Sequence, residues 1–309
     1  MENSNQTVPF RFFLLGLSTV PHLQILGFLL LLVVYIISLL GNGLLLITVR
    51  ISPTLHTPMY FFLCNLSIID IFVSTTVVPV ILKNTLSTDK SISVTGCALQ
   101  MFFSLVGGVA ECLLLTVMAY DRFVAICRPL HYSSIMNMRF CVILALIPWT
   151  FGLVNSSIHV PITFIGLSFC NNNFINHYFC EIPPILRLSC KDPWLNKVIM
   201  YVTCAIIIFC SLALNVISYV YIISSILKIR SSQGKQAAFS TCSSHVTVLT
   251  FYFSTLMFMY LQPPSSHSLE TDSTLSLLYT AGMPMLNPII YSIRNKDVKN
   301  CVRKMIKTK

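Results

Sequence analysis

Residues 118–127 read MAYDRFVAIC and close an uncharged run that begins at Cys112. Asp121 and Arg122 therefore stand side by side where an apolar helix is expected to leave a membrane. An ionised pair near hydrocarbon is costly unless each charge has a partner, so charges at this depth usually have a function. The simpler interpretation is that Arg122 only extends to the cytoplasmic interface, as a terminal arginine commonly does. That interpretation leaves the residues on either side of the pair unexplained.

The composition indicates a membrane protein rather than a soluble domain. The 309-residue chain is 55% hydrophobic and only 10% charged, whereas soluble domains carry about 25% charged residues. A helix that crosses roughly 30 Å of hydrocarbon needs about 20 apolar residues. Seven such runs are found, at approximately 24–49, 58–82, 97–121, 140–164, 197–227, 237–261 and 272–293. Because each run must satisfy its own backbone hydrogen bonds in lipid, the expected fold is an all-α bundle of seven transmembrane helices.

The distribution of Lys and Arg predicts the orientation. With the N-terminus outside the cell, 14 of the 20 Lys and Arg residues fall on the cytoplasmic side, and the outer segments have no net charge. The net charge of +10 is therefore a topology signal that also favours anionic lipid and an acidic cytoplasmic partner, and nucleic-acid binding is not indicated. The expectation is one multi-pass domain, residues 1–309, in the plasma membrane. Residues 1–23 would be extracellular, 165–196 a long outer loop and 294–309 a cytoplasmic tail.

The outer segments carry candidate modification sites. Asn5 begins an Asn-Gln-Thr glycosylation sequon, in a segment without the basic head and apolar core of a cleavable signal peptide. Four cysteines fall on the outer side, where disulfides form: Cys97, Cys170, Cys180 and Cys190. Four cysteines allow three connectivities, so spacing alone does not choose among them. Spacings suited to a zinc site are absent from the sequence.

Two carboxylates fall inside the predicted bundle. Asp70 lies in the middle of the second span and Glu111 in the third, about three turns outward of Arg122. Both cannot stay ionised without a cation between them or a shared proton, so one interpretation is a site for a sodium ion or a proton. A hydrogen-bonded polar plug with Asn42 and Asn287 is an equally weighted alternative. A catalytic pair is disfavoured because no cleft motif or nucleophile accompanies it.

A candidate switch lies at the inner ends of the fifth and sixth spans. Tyr219 is near the end of the fifth, and KQAAFSTCSSH, residues 235–245, opens the sixth. A lone helical histidine is more often a packed core residue. However, Arg122, Tyr219 and His245 all lie near the cytoplasmic ends of their helices, so a rigid movement of the sixth helix could exchange partners among them.

The seventh span contains PMLNPIIYS, residues 284–292. Its two prolines break backbone hydrogen bonds and leave a bendable segment beside Asn287 and Tyr291. After this span, apolar residues repeat at helical spacing with lysines between them, which predicts a short amphipathic helix on the inner leaflet. The apolar residues are Val298, Cys301, Val302, Met305 and Ile306.

Together these blocks resemble the odorant receptors, a branch of the rhodopsin-like G-protein-coupled receptors, from the sequon to Ser292. The resemblance implies an odorant pocket in the outer half of the bundle and a cytoplasmic cavity that accepts the heterotrimeric, stimulatory olfactory G protein and raises cyclic AMP. It also implies a Cys97–Cys180 disulfide, which leaves Cys170 and Cys190 for a second bridge. The residues expected to act in coupling are Asp121, Arg122, Tyr219, His245, Asn287 and Tyr291.

Mapped onto this sequence, the resemblance implies a pocket formed by the third, fifth, sixth and seventh spans. The expected lining residues are Ser104, Leu105, Gly108, Val109, Thr203, Ile207, Leu256, Met257, Tyr260, Leu277 and Thr280. The four on the third span share one helical face, although most of these residues could equally be core packing. Gly107 and Gly108 leave room, a few hydroxyls are present, and no charge is expected. Small, volatile, largely neutral ligands are therefore predicted, with carboxylic acids poor ligands for want of a cation.

Residues 252–254 read Tyr-Phe-Ser where the family usually has Phe-Tyr-Gly, so the hydroxyl is displaced by about 100° around the helix.

A transporter or channel is the alternative function, motivated by Asp70 and Glu111, but inverted repeats with paired broken helices are absent from the sequence. An enzyme is disfavoured because the sequence contains no constellation of nucleophile and base.

Overall fold

The computed structural model describes residues 11–17, 20–169, 173–260 and 269–294, together with Val298 and Cys301. Helices account for most of these residues. In chain order they are α1 (Pro21–Ile51), α2 (Pro58–Leu86), α3 (Val94–Cys127), the short α4 (Tyr132–Ile135), α5 (Met138–Gly166), the short α6 (Ile182–Leu186), α7 (Trp194–Leu227), α8 (Ser232–Tyr260), α9 (Leu269–Leu277) and α10 (Met283–Arg294).

The seventh predicted span is a broken helix. Helices α9 and α10 are joined by a π-helical segment, Leu278–Gly282, whereas six other helices of the described chain are each long and apolar enough to cross a membrane. π-Helical segments are uncommon and often lie at functional sites. The prediction of an all-α bundle with seven crossings is confirmed, with the seventh helix built in two parts.

Local sequence signals set the helix starts. The Ser93 side chain accepts a hydrogen bond from the Gly96 amide at 3.0 Å, and the Asn137 side chain accepts one from the Phe140 amide at 3.1 Å. Both residues are N-caps, which satisfy amides that have no partner within the helix. Pro58 occupies the first turn of α2, where its missing N–H is harmless. These signals place the starts of α2, α3 and α5 within three residues of the predicted spans.

Helix α3 lies in the centre of the bundle and contacts α2, α5, α7 and α8. The contact with α5 is close because Gly152 has no side chain: a Cβ there would lie 2.5 Å from the carbonyl oxygen of Val106. Large apolar side chains instead project outward from α1, α5 and α7, such as Leu40, Leu146 and Ile206, which are 69%, 57% and 58% exposed. So much apolar surface is stable only against lipid.

The disulfide end of the bundle, called the outer end here, carries a small sheet that was not expected in an all-α fold. Strand β1 (Arg11–Leu14) pairs antiparallel with β2 (Ser91–Ser93) and parallel with β3 (Phe174–Ile175). Phe12 and Leu14 of β1 are fully buried, and they alternate with exposed residues. Four alternating residues are too short a pattern to predict a strand. The N-terminal segment is thus held against the outer loop.

Two outer disulfides were predicted, and the first of them is confirmed. Cys97 and Cys180 are bonded, which ties the start of α3 to the loop before α6. Cys190 is also disulfide-bonded, and its predicted partner Cys170 lies outside the described residues, as does the sequon at Asn5. Two residues beyond Arg294 are described, Val298 and Cys301, and both are helical. They agree with the predicted C-terminal helix, whose remaining residues lie outside the described part.

Candidate functional site

A cavity lies in the outer half of the bundle between α3, α5, α7, α8 and the broken seventh helix. It has a volume of about 80 Å³ open to the centre of a water molecule, several times the ~10–15 Å³ that one water needs. Helix α6 contributes Ile182 at its outer end. The lining residues are Ser104, Leu105, Gly108, Val109, Cys112, Asn155, His159, Ile182, Met200, Thr203, Cys204, Ile207, Ile208, Tyr252, Leu256 and Tyr279.

Seven of the eleven predicted pocket residues line this cavity: Ser104, Leu105, Gly108, Val109, Thr203, Ile207 and Leu256. Gly108 faces open space, whereas a Cβ at Gly107 would collide with the Val73 side chain. Only Gly108 therefore leaves room for a ligand, and Gly107 instead allows α2 and α3 to approach. Whether these residues bind a ligand stays a prediction.

The other four predicted pocket residues lie elsewhere or outside the described part. Met257 follows Leu256 by about 100° around α8 and is 37% exposed. Leu277 packs against the cluster around Phe179 rather than the cavity. Thr280 is fully buried within the π-helical segment and donates to the Ser276 carbonyl at 2.6 Å. The π-helical turn holds an extra residue and shifts the face that α-helical spacing assigns. The side chain of Tyr260 lies outside the described residues.

Helix α5 supplies lining residues that the sequence analysis missed. Asn155 and His159 both line the cavity, four positions apart and so on one helical face. His159 is 5% exposed, and its Nε2 lies 2.9 Å from Oγ1 of Thr203 on α7. Two polar residues at this spacing in an apolar span are a signal that could have found them, because a buried polar group in lipid needs a partner.

Tyr252 carries the hydroxyl that is displaced, relative to the usual family pattern, in residues 252–254. Its side chain is 1% exposed, lines the cavity and donates a 2.8 Å hydrogen bond to the Gly108 carbonyl. Phe253 is buried, and Ser254 is exposed and donates a 3.0 Å hydrogen bond to the Phe251 carbonyl of its own helix. The displaced hydroxyl thus joins α8 directly to the backbone of α3.

A buried carboxylate lies next to the cavity. Glu181 follows the disulfide-bonded Cys180 and is 6% exposed. It accepts hydrogen bonds from Tyr279 at 2.7 Å and from Ser276 at 3.0 Å, and His177 lies 3.6 Å away. Glu181 lies in the predicted outer loop, residues 165–196, and no charge was expected at the pocket. The structure instead uses it to fasten the outer loop to the seventh helix.

His177 shares this buried site. Burial lowers the pKa of its imidazole below the ordinary value, and the nearby Glu181 carboxylate opposes that shift in part. Asp272 and Arg187 also face it, and these two residues form an ion pair at 3.2 Å. The loop is therefore held to the seventh helix by one buried and one outer set of polar contacts.

The midplane carboxylates meet through one amide. Asn287 Nδ2 lies 3.0 and 3.1 Å from the two oxygens of Asp70 and 3.5 Å from Oε1 of Glu111. Both carboxylates are 1% exposed. Asn42 makes the expected contact across the bundle but with a different partner, the Pro284 carbonyl at 2.8 Å. Asn42 therefore stands beside the carboxylate cluster rather than within it.

At the inner end, Arg122 forms an ion pair with Asp121, the residue before it. The Arg122 side chain is 13% exposed and that of Asp121 is 1% exposed. Asp121 also accepts a 2.8 Å hydrogen bond from Tyr132, on α4. Burial and the negative charge of Asp121 raise the pKa of Tyr132, so its hydroxyl remains a donor. The hydrogen bond from Tyr132 to Asp121 holds α4 against the inner end of α3.

Two other predicted switch residues, Tyr219 and His245, connect α7 and α8. The hydroxyl of Tyr219 lies 2.7 Å from Nδ1 of His245, and both residues are buried. Tyr291 is also buried, and its hydroxyl has no hydrogen-bond partner among the described residues.

The described residues include no group of three or more His, Cys, Asp or Glu side chains that could hold a metal ion. The sodium interpretation of Asp70 and Glu111 stays a prediction.

Comparisons with known proteins agree with this arrangement. A family model described as olfactory receptor matches residues 31–309. The chain is 47% identical over 307 residues to Olfactory receptor 5AR1 of Mus musculus, covering 99% of this chain and 98% of the relative. It is 46% identical over 306 residues to Olfactory receptor 5B21 of Homo sapiens, with 99% and 98% covered. It is 47% identical over 309 residues to Olfactory receptor 13C9 of Homo sapiens, with 98% and 97% covered.

Proposed function

We propose, because this chain belongs to the olfactory receptor family of odorant-sensing G-protein-coupled receptors, that its outer cavity binds small, volatile and mostly neutral hydrophobic odorants. The chain is a multi-pass membrane protein and a receptor, not an enzyme. The odorant would then activate a stimulatory, olfactory-type G protein and raise cyclic AMP. The receptor would act in the plasma membrane with its N-terminus outside, where the Cys97–Cys180 disulfide is stable.

The observation that carries the ligand class is the chemistry of the cavity wall. Most of the lining is apolar, with a few hydroxyls and one histidine, and none of the described lining residues is Lys or Arg. Apolar pockets with few convergent polar groups bind small organic ligands by dispersion and one or two hydrogen bonds. A carboxylate ligand would leave water without a cation to pair with, close to the negative charge of Glu181. This wall therefore favours neutral odorants over acids.

The proposed mechanism is a shift between two conformations of α8. The ligand contacts Leu256 and Tyr252 on α8 at the cavity, and the same helix carries His245 at the inner end. A ligand that binds better when the inner end of α8 has moved outward increases the population of that state. The movement would break the bond between Tyr219 and His245 and release Arg122 to contact the G protein.

The carboxylate cluster has a proposed role in the same shift. Asp70 and Glu111 meet at the single amide of Asn287, which supplies no full positive charge. A sodium ion or a shared proton would relieve their repulsion. Asn287 lies on α10, so occupancy of the cluster would stabilise one position of the seventh helix. The polar plug without an ion is the alternative that the same contacts allow.

The test is a matched ligand panel. Cells that express the receptor with an olfactory-type stimulatory G protein are exposed to straight-chain alcohols, aldehydes, ketones and carboxylic acids of equal length. Cyclic AMP is measured beside surface expression, and cells without the receptor are the control. Responses to neutral members with little or no response to acids would support the proposal. Activation by acids alone would overturn the ligand class.

A further inference from the structure

We propose that the α5–α7 side of the cavity selects odorants that donate a hydrogen bond, so that alcohols and phenols act at lower concentrations than matched ketones, aldehydes or esters. The selecting residue is His159, whose acceptor nitrogen is fixed by Thr203. The inference rests on the proposed odorant-binding function and names the ligand class of the same cavity.

Thr203 has a single hydroxyl proton. Its Oγ1 lies 2.8 Å from the Ile199 carbonyl oxygen, 3.0 Å from the Met200 carbonyl oxygen and 2.9 Å from Nε2 of His159. Carbonyl oxygens can only accept hydrogen bonds. If the proton pointed at the histidine, a lone pair of Oγ1 would face carbonyl lone pairs at 2.8 Å. The proton therefore goes to the helix backbone, as is usual for a helical threonine.

The position of that proton fixes the tautomer of His159. Because the Thr203 hydroxyl is already donated, its oxygen accepts from His159, and Nε2 must carry the hydrogen. Nδ1 is then a lone-pair acceptor. His159 is 5% exposed and lines the cavity, and its contact with Thr203 is its one hydrogen bond within the described residues. A buried acceptor of this kind is unfavourable unless a ligand or water satisfies it.

The other hydroxyls on the wall also direct their protons into the protein. Ser104 donates to the Met101 carbonyl at 3.1 Å, Tyr252 to the Gly108 carbonyl and Tyr279 to Glu181. The thiols of Cys112 and Cys204 are weak donors. The amide of Asn155, one turn from His159 on α5, is left as the strong donor on the described wall. The wall is thus rich in acceptors and poor in donors.

An alcohol complements this wall better than a ketone does. Its hydroxyl can donate to Nδ1 of His159 and accept from the amide of Asn155 at the same time. A ketone can accept from Asn155 but leaves Nδ1 without a partner once water is displaced. The difference of one unsatisfied buried group corresponds to a preference of roughly tenfold.

The test compares alcohols with ketones of the same carbon skeleton by cyclic AMP dose–response, with surface expression measured for every variant. In the wild type we expect the alcohol to act at a concentration roughly tenfold lower. His159→Leu removes the acceptor and should abolish the preference. Thr203→Val keeps the shape of the side chain but removes the oxygen that fixes the His159 tautomer. Nδ1 of His159 can then carry the hydrogen and donate to a ketone. The ketone should therefore act at a lower concentration, and the preference for the alcohol should shrink. This variant also covers the case in which His159→Leu folds poorly.

The matched control is Thr150→Val. Thr150 lies on α5, is exposed and donates to the Leu146 carbonyl at 2.9 Å, so the control removes the same kind of bond away from the cavity. It should keep the wild-type preference. Equal or better action of ketones in the wild type, or an unchanged preference in both cavity variants, would overturn this inference while leaving odorant binding intact. A receptor that responds to neither class would overturn the proposed function and this inference with it.

Discussion

The hydroxyl of Tyr252 donates a 2.8 Å hydrogen bond to the carbonyl oxygen of Gly108, and both residues line the outer cavity. The bond joins α8 to α3 at the place where a ligand would sit. A ligand at the proposed site would therefore contact both Tyr252 and Gly108, which carry the two ends of this bond. Because α8 also carries His245 at its inner end, this helix connects the cavity to the proposed switch.

We expect Tyr252→Phe to raise ligand-independent cyclic AMP. The substitution keeps the buried ring but removes the bond to Gly108, which is worth about 1 kcal/mol, or a factor of about 5 in the equilibrium between conformations. Tyr201→Phe is the matched control, since Tyr201 on α7 is 40% exposed and lies outside the cavity lining. Unchanged basal signalling at normal surface expression would argue against the bond as a restraint on α8.

Replacement of Arg122 should abolish odorant-evoked cyclic AMP while the receptor still reaches the cell surface. Arg122→Ala removes the cation, and Arg122→Gln keeps a donor for the buried Asp121 in case the first variant folds poorly. Arg139→Ala is the control, because Arg139 is exposed at the start of α5. A normal dose–response in both Arg122 variants would refute a role for Arg122 in coupling.

The contact between the outer loop and the seventh helix should weaken in acid. Burial holds the pKa of His177 below its usual value of about 6.5. The stability that this histidine contributes is therefore present above about pH 6.5 and is lost as the pH falls towards its lowered pKa. Amide hydrogen exchange in residues 181–188, corrected for intrinsic rates, should be faster at about pH 5.5 than at about pH 7.5.

The variant His177→Phe separates this response from other titrating groups. Phenylalanine keeps a ring beside Phe179, whose centroid lies 4.8 Å from that of His177, but it has no proton to gain. In this variant, the rate of amide hydrogen exchange in residues 181–188, corrected for intrinsic rates, should not depend on pH. The same acid response in the variant and the wild type would assign the effect to another group.

A sodium ion at the carboxylate cluster would make thermal stability depend on the salt. Purified receptor should unfold at a temperature about 2–4 °C higher in sodium chloride than in potassium chloride of equal ionic strength. Glu111→Gln removes one of the two negative charges with little change in shape, so the difference should vanish in that variant. Equal midpoints in the wild type would contradict a sodium ion and leave a shared proton or a polar plug.

Much of the fold is determined by patterns that can be read locally. The apolar runs and the prolines of the seventh span depend on neighbouring residues. The four pocket positions proposed on α3 came from the resemblance, and they share one helical face. These features depend on spacing along a single helix, which is why the sequence was sufficient to predict them.

The missed features depend on contacts between distant segments. A register shift in the π-helical segment moved Leu277 and Thr280 away from the cavity, and no local signal announces it. The buried position of Glu181 was not predicted because its partners, such as Tyr279, lie far along the chain, at a separation of 98. The role proposed for His159 depends on its contact with Thr203, which lies on another helix. Charge and spacing alone could not supply these pairings.

If an odorant in the outer cavity drives signalling, then filling that cavity with a side chain should block the response. A Cβ added at Gly108 meets no atom within 4 Å, so Gly108→Leu should fold and place its side chain in the cavity. Gly43→Leu is the matched control on α1, where an added Cβ is equally unobstructed. Dose–response curves for cyclic AMP are measured at equal surface expression. Gly108→Leu should lose the response to odorants and Gly43→Leu should retain it, whereas a wild-type response from Gly108→Leu would show that the outer cavity does not drive signalling.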